Sequence, residues 1–529
     1  MSATVAVTRR FPGAIVAAAF ALLWFAVAPP TPDLAAAVYR AGLFAQDGFQ
    51  IYDSAWFGGH HLPGYSVLAP MLGAELGVRE TGVVAAIASA IIFERLATAR
   101  WGAAARPAVL WFAGATICDL MIGRITFGIG VAIGLGALLA VQKNRPLVGA
   151  GLALACSATS PVAGLFLVLA LAAGWLAAPK RVSIALVAGA AGACVLALSF
   201  AFPEGGAQPY SVGGVVAALG SSAIVIWVAG RREPAIAYGA AIYAAIALIS
   251  FVLPTPMGSN ASRLGAAFAG PLLLAMVLAR PQISRVRLAA VVAALTMCVV
   301  WQWTAPFREV ARGIGDPSYQ ASFYRPMIGF IAADSGGAPV RIEVPFTRSH
   351  WEAVHIARHF ALARGWQTQL DHKYNDLFFG KRLGAEQYRR WLSSNAVSYV
   401  AVPDVPLDPG GRLEARLIAR GLPFLEPVFS TEDWKVYRVA DPLPLVSDGR
   451  VTELQPQRFV LDDVAERSVL VRVRWTPYWV VETGGCAQRA GNWTRVESYS
   501  LGRVVVRARF AASRLVAPDR NCSTGTPGA

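Results

Sequence analysis

The sequence predicts a polytopic α-helical membrane domain followed by an extracytoplasmic region of α/β and β-sandwich type, and three observations predict it. The 529-residue chain is 55% apolar, only 15% charged and has a mean hydropathy of +0.49, whereas a typical soluble domain is about 25% charged. Its apolar residues gather into long runs before residue 305 and into short, alternating runs after it. The charge divides at the same place: residues 1–304 hold 18 Lys and Arg with 9 Asp and Glu, and the remainder holds 29 and 23. Disordered, collagenous and disulfide-scaffold chains are excluded, because six cysteines are sparse and the apolar content is high.

Eleven apolar stretches approach the length needed to cross a hydrocarbon core of about 30 Å at about 1.5 Å per residue. They lie at 11–29, 82–99, 105–122, 125–142, 146–158, 161–178, 182–202, 213–229, 234–253, 264–279 and 287–304. The fifth is short and meets the sixth at Ser157-Ala-Thr-Ser-Pro161. Arg9, Arg10 and an apolar core ending in Ala26-Val-Ala28 mimic a signal peptide, but Pro29-Pro30 makes a poor cleavage site, so the first stretch reads as an uncleaved helix. With the N-terminus cytoplasmic, 14 basic residues face inward: Arg9, Arg10, Arg95, Arg100, Arg106, Lys143, Arg145, Lys180, Arg181, Arg231, Arg232, Arg280, Arg285 and Arg287. Four face outward: Arg40, Arg79, Arg124 and Arg263. Much of the net charge of +15 is therefore a topology signal, and no nucleic-acid partner is expected. The protein is expected in the plasma membrane, multi-pass.

An odd number of spans places residues 305–529 outside the cytoplasm. Residues 305–445 mix strand-like runs (340–346, 398–402, 434–439) with helical ones (350–363, 385–394, 412–420), which predicts an α/β subdomain. Residues 446–515 alternate with period two, as in Val469-Leu-Val-Arg-Val-Arg-Trp475, which predicts a β-sandwich; residues 516–529 read as a tail. Cys118, Cys156, Cys194 and Cys298 fall within spans as small apolar residues. Cys486 and Cys522 remain, and an oxidising compartment permits a disulfide between them. Trp475, Tyr478 and Trp479 suit a sandwich core better than a sugar platform. His350, Glu352, His355 and His359 form one helical run in which His355 and His359 share a face and could bind zinc; without a third ligand the run reads as a solvated helix face.

The chemistry is concentrated in the first external loop, residues 30–81. It starts Pro30-Thr-Pro-Asp33, passes Arg40, Asp47 and Asp53, runs through Trp56-Phe-Gly-Gly-His-His-Leu-Pro-Gly-Tyr65, and ends in an apolar segment, Ser66 to Leu76, too short to cross and suited to the interface. An acid just after the first helix, a loop closing on a basic residue and proline, an interfacial helix and a second helix with a basic exit resemble the glycosyltransferase C superfamily. The break between the fifth and sixth spans resembles that family's short helix and Ser-Pro restart. The likeness covers roughly residues 10–180. Where many members carry Asp-Glu at the loop start and Lys before Pro-Pro, this chain has Asp33-Leu34 and His60-His61-Leu-Pro63.

The resemblance implies transfer of a sugar from a polyprenyl-phosphate donor to a cell-envelope glycan, lipid or protein at the outer membrane surface, with Asp33 as the base; the plainer reading of Asp33 is a helix cap. It implies that Arg40, His60, His61, Arg124 and Arg263 hold the donor phosphate. Arg40 lies seven residues beyond Asp33, where it could instead pair with it. Asp47, Asp53, Asp119 and Tyr65 are second-rank candidates, and Asp119 with Arg124 also suits a structural ion pair. No cofactor is required, although Asp33, Asp47 and Asp53 offer oxygens to a divalent ion. The competing readings are a transporter or lipid flippase, which calls for two similar helical halves, and a non-catalytic envelope scaffold. No Walker loop or dinucleotide fingerprint is present.

Overall fold

The computed structural model describes residues 12–179, 182–280, 285–516 and 522. Arg9, Arg10, Lys180 and Arg181 of the topology count, and most of the 516–529 tail, lie outside them. The chain forms two compact units. The first comprises the chain up to Gln46, Gly64–Ser199 and Gly205–Ile314; the second comprises Asp47–Pro63, Phe200–Glu204 and everything from Gly315. Two boundaries therefore differ from those read in the sequence. The helix from Arg285 continues through Pro306 to Gly313, so the helical unit ends at Ile314 and not at 304. The middle of the loop 30–81 belongs to the second unit, because its backbone bonds to strands and turns far along the chain.

The helical unit contains α1 (Pro12–Val27), α2 (Pro32–Asp47), the short α3 (Ala69–Leu76) and α4 (Val78–Trp101). It continues with α5 (Arg106–Ile122), α6 (Ile125–Gln142), α7 (Pro146–Thr159), α8 (Pro161–Ala177) and α9 (Val182–Ala201). It closes with α10 (Val212–Ala229), α11 (Pro234–Val252), α12 (Ser262–Leu278) and α13 (Arg285–Gly313). Every one of the eleven apolar stretches is helical. By length and composition, seven helical runs among the described residues can cross a membrane, or eight if α1 and α2, bent by 82°, form one broken span. The protein is thus a multi-pass membrane protein. That count takes Val78–Ile122 as one 45-residue run, although a 3₁₀ turn at Gly102–Ala105 divides it and α4 packs along α5.

Lipid supplies no hydrophobic drive between helices, so close packing and buried polar ties hold this unit. Ala17, Ala90 and Ala113 let α1, α4 and α5 meet closely. A Cβ on Gly270 would sit 2.5 Å from the Trp111 ring, so α12 meets α5 through a glycine. Trp111 Nε1 donates to Gln302 Oε1 (2.8 Å), and Gln302 Nε2 donates to Ala266 O (2.7 Å), joining α5, α13 and α12.

The second unit begins with β1 (Tyr52–Asp53) and β2 (His60–His61), a two-residue antiparallel pair. Its α/β part contains α14 (Ala321–Asp334), β3 (Arg341–Glu343), α15 (Glu352–His355), β4 (Ala361–Leu362), α16 (Thr368–Tyr374), α17 (Ala385–Ser394), β5 (Val397–Pro403), α18 (Pro409–Ile418), β6 (Leu425–Ser430) and β7 (Trp434–Val439). The sheet order is β4-β3-β5-β7-β6, parallel over the first three strands and antiparallel thereafter. Tyr388, Trp391 and Leu392 of α17 and Leu417 and Ile418 of α18 pack on Val397 and Val400, each large apolar side chain contributing about 1.5–3 kcal/mol. The run 350–363 is helical only over Glu352–His355, so His355 and His359 share no helix. Chain entering β4 replaces the helix expected there.

The remaining strands are β8 (Arg450–Gln455), β9 (Arg458–Val464), β10 (Ser468–Arg474), β11 (Trp479–Val481), β12 (Gly485–Ala490), β13 (Trp493–Ser498) and β14 (Gly502–Ala508). They form two antiparallel sheets, β10-β13-β12 and β11-β14-β9-β8, with alternate residues such as Val469, Val471, Val504 and Val506 buried. Cys486 and Cys522 are disulfide-bonded.

Candidate functional site

Asp33 occupies the first turn of α2, where the helix N-terminus favours a carboxylate. The α5–α6 turn is pressed against that same helix start. Gly123 ends α5 at φ 91°, and a Cβ there would lie 2.4 Å from Leu34 N and 2.8 Å from Thr31 Oγ1. Only glycine fits both the left-handed backbone and the contact. The adjoining Arg124 then reaches Asp33, Nε to Oδ2 at 3.4 Å, with 29% and 35% of the two side chains exposed.

Asp119, in the last turn of α5, and Arg263, near the start of α12, complete the cluster. Asp119 is electrostatically coupled to Arg124, Arg263 and Asp33, and Arg263 also to Tyr65. The Arg263 guanidinium stands 5.3 Å from the Phe127 ring centroid, and its buried Nε has no hydrogen-bond partner among the described residues. Arg40 is buried, with its guanidinium 3.9 Å from the Tyr65 ring centroid. A narrow cleft lined by Ser89, Thr116, Asp119 and Arg124 shares Val131 with an apolar cavity of about 400 Å³. That cavity runs from Trp101 and Ile236 to Leu264 and Phe268.

The other loop candidates fold into the second unit. Asp47 is exposed. Asp53 is buried, and its Oδ1 accepts from Ala55 N at 2.8 Å. His60 is buried and stacked on Trp56, ring centroids 5.6 Å apart. His61 pairs with Glu204 (Nδ1 to Oε1, 2.8 Å) and with Thr476 (Nε2 to Oγ1, 2.9 Å). Burial pushes the Glu204 carboxyl up, but hydrogen bonds from His61 outweigh it and hold the group below its ordinary range. This clasp joins the three chain segments of the second unit, with Tyr478 Oη donating to Ala201 O (2.7 Å) and Tyr52 Oη to Arg474 O (2.6 Å). Tyr478 and Trp479 are buried and Trp475 is half-buried.

Two solved structures of the arabinofuranosyltransferase AftD from Mycobacteria, cryo-EM classes of one mutant form, are similar to this chain. The first is 17% identical with a TM-score of 0.44, covering 83% of this chain and 42% of that one. The second is 16% identical with a TM-score of 0.40, covering 85% and 42%. The chain thus spans less than half the length of the structures it matches, and likeness of this degree decides neither activity nor substrate. No family model and no curated protein matches.

Sequence reasoning missed a sealed network in the second unit. Arg364 is fully buried and paired with Asp371 (2.5 Å), Glu414 (3.6 Å) and Glu343 (3.8 Å), its guanidinium 3.8 Å from the Phe346 ring centroid. Burial, beyond what Arg364 offsets, pushes Glu414 up to about 7, and burial together with the neighbouring Glu414 pushes Glu343 well above its ordinary range. Nearby, buried His350 lies between Glu352 (3.6 Å) and Asp408 (3.5 Å). Burial pushes its imidazole down, yet the two carboxylates carry it up to about 9. The residues of this network are 7 to 71 positions apart, so no local motif announces them. Among the described residues no group of three or more His, Cys, Asp or Glu is placed to hold a metal.

Proposed function

We propose that this protein is a membrane glycosyltransferase that moves a sugar from a polyprenyl-phosphate donor to a cell-envelope acceptor on the extracytoplasmic side. The observation that carries this reading is the open Asp33–Arg124 pair, backed by Asp119 and by Arg263 with its unpartnered Nε. An ion pair exposed to this degree contributes only about 0–1 kcal/mol to stability. Ionisable groups at membrane-helix ends are costly and default to a functional reading. In the transfer step the acceptor oxygen bonds to the anomeric carbon while the bond from that carbon to the phosphate oxygen breaks. The phosphate leaves with the electron pair, and Asp33 takes the acceptor hydroxyl proton. Arg124 and Arg263 face the charge that develops on the leaving phosphate. Arg40 holds Tyr65 against the cluster and is a positioning residue. The apolar cavity adjoining the cleft suits the donor's hydrocarbon chain.

Chain topology supports the sidedness. The segments 47–63, 200–204 and 315 onward build one compact unit and so must share one compartment. An even number of crossings must then lie between consecutive segments. The helices α4 to α9 and α10 to α13 supply six and four if each crosses, whereas joining α4 and α5 into one span leaves an odd number. The Lys and Arg asymmetry supports the external side for that shared compartment.

The test is to incubate the purified chain with polyprenyl-phosphate sugars and envelope acceptors and to look for a new glycosidic bond. Substrate movement into liposomes without any glycosidic product would support the transporter reading and overturn this one.

A further inference from the structure

We infer that the second unit binds an acidic saccharide where the end of α16 meets β10 and β13. Arg474, the last residue of β10, is paired in register with Trp493, the first of β13. Its guanidinium lies 3.6 Å from the Tyr374 ring centroid and 5.1 Å from that of Trp493, and its Nε donates to Phe57 O at 2.6 Å. Arg341 stands 5.7 Å from the same Trp493 ring and gives Nη1 to Asn395 O and Nη2 to Arg472 O, each at 2.6 Å.

Arg341 is 0% exposed and Arg474 6%, yet Arg341 Nε and Arg474 Nη1 have no hydrogen-bond partner among the described residues. The hydrogen bonds that Arg341, Lys373, Arg474 and Arg489 donate go to backbone carbonyls: Asn395 and Arg472, Glu204, Phe57 and Gly491 respectively. Glu204 acts on Arg474 and Lys373 electrostatically, but His61 holds its carboxylate. Burial and the neighbouring Arg474 push Arg341 down to about 9, the mark of positive charge that lacks a counter-ion.

Cations buried without an anion cost stability, and a bound anion would relieve that cost. Lys373 and Arg489 are exposed and electrostatically coupled, and they form the rim. Half-buried Trp493 and Tyr374 supply aromatic surface beside them. Carboxylate or phosphate suits the guanidinium groups, and a sugar ring suits the indole. As the acceptor's docking place this site rests on the transferase reading; as a binding site it stands on these residues alone.

Calorimetry on the full chain in detergent tests it, with tetragalacturonate and a phosphorylated disaccharide as probes and cellotetraose and inorganic phosphate as controls. At least one acidic saccharide is expected to bind, and cellotetraose is not. Lys373 and Arg489 also donate to the carbonyls of Glu204 and Gly491, so the double variant Lys373→Gln with Arg489→Gln, which removes both charges and keeps an amide donor at each position, should weaken binding at least tenfold at an unchanged melting temperature. Trp493→Ala should weaken the saccharide and leave inorganic phosphate unaffected. Asp33→Asn should bind as wild type does, so loss of transfer and loss of binding are separable. Binding of neither acidic saccharide, unchanged affinity in the rim variant, or equal affinity for inorganic phosphate (an adventitious ion only) would each overturn the proposal.

Discussion

The two units each contain an arginine among carboxylates, and they use it in opposite ways. In the second unit Arg364 is sealed, meets Asp371 at 2.5 Å and two further acids within 3.8 Å, and is covered by the Phe346 and Phe378 rings. In the helical unit Arg124 meets Asp33 at 3.4 Å with about a third of each side chain in the open. A sealed network has every incentive to be satisfied internally, because an unpaired buried charge is expensive. An open pair contributes little to folding and stays available to a substrate. On the proposed reading, the contrast separates a structural network from a site with the same residue types.

The largest break should come from Arg364→Met, which leaves three buried carboxyls without their cation. It is expected to cost about 3–5 kcal/mol, read by chemical denaturation of the second unit. Arg124→Gln is expected to do the reverse: transfer falls by about a hundredfold, as when one charge-stabilising donor is removed, while stability moves by less than about 1 kcal/mol. Comparable destabilisation by both variants would erase the contrast.

Gly123→Ala sharpens it differently. It touches no charge, but its Cβ would strike the start of α2, so transfer should drop while the Arg364 network's denaturation profile is unchanged. A smaller effect concerns pH. The folded-state affinities of His350 and Glu414 for protons are raised, so their contribution is complete at low pH and is lost as pH rises, through about 7 for Glu414 and from 6.5 to about 9 for His350. The second unit's melting temperature should therefore fall across that window, and His350→Gln should flatten its upper part. A melting temperature that rises over the window would contradict the assignment.

The legible part of the molecule is the part whose physics is local. Lengths of apolar chain announced the helices, and period-two alternation announced β10 and β14. The boundary read at 304 differs from the one at Ile314 because the helix α13 continues through Pro306 to Gly313. The segment 47–63 was opaque because β1 and β2 are two residues each and depend on partners such as Pro456, which accepts from Ser54 N at 2.9 Å. Asp33 was singled out by its place after the first helix, and the role proposed for it rests on that reading. Its partner was not, because Arg124 lies 91 residues away and Asp119, five residues off, looked the nearer match.

The most direct measurement is turnover of a polyprenyl-phosphate sugar by wild type and by Asp33→Asn, in the same detergent and at matched melting temperature. Loss of a general base predicts a fall of about 10²–10⁴-fold with donor binding preserved. Equal turnover in the two proteins would contradict the assignment of Asp33 as the group that takes the acceptor's proton.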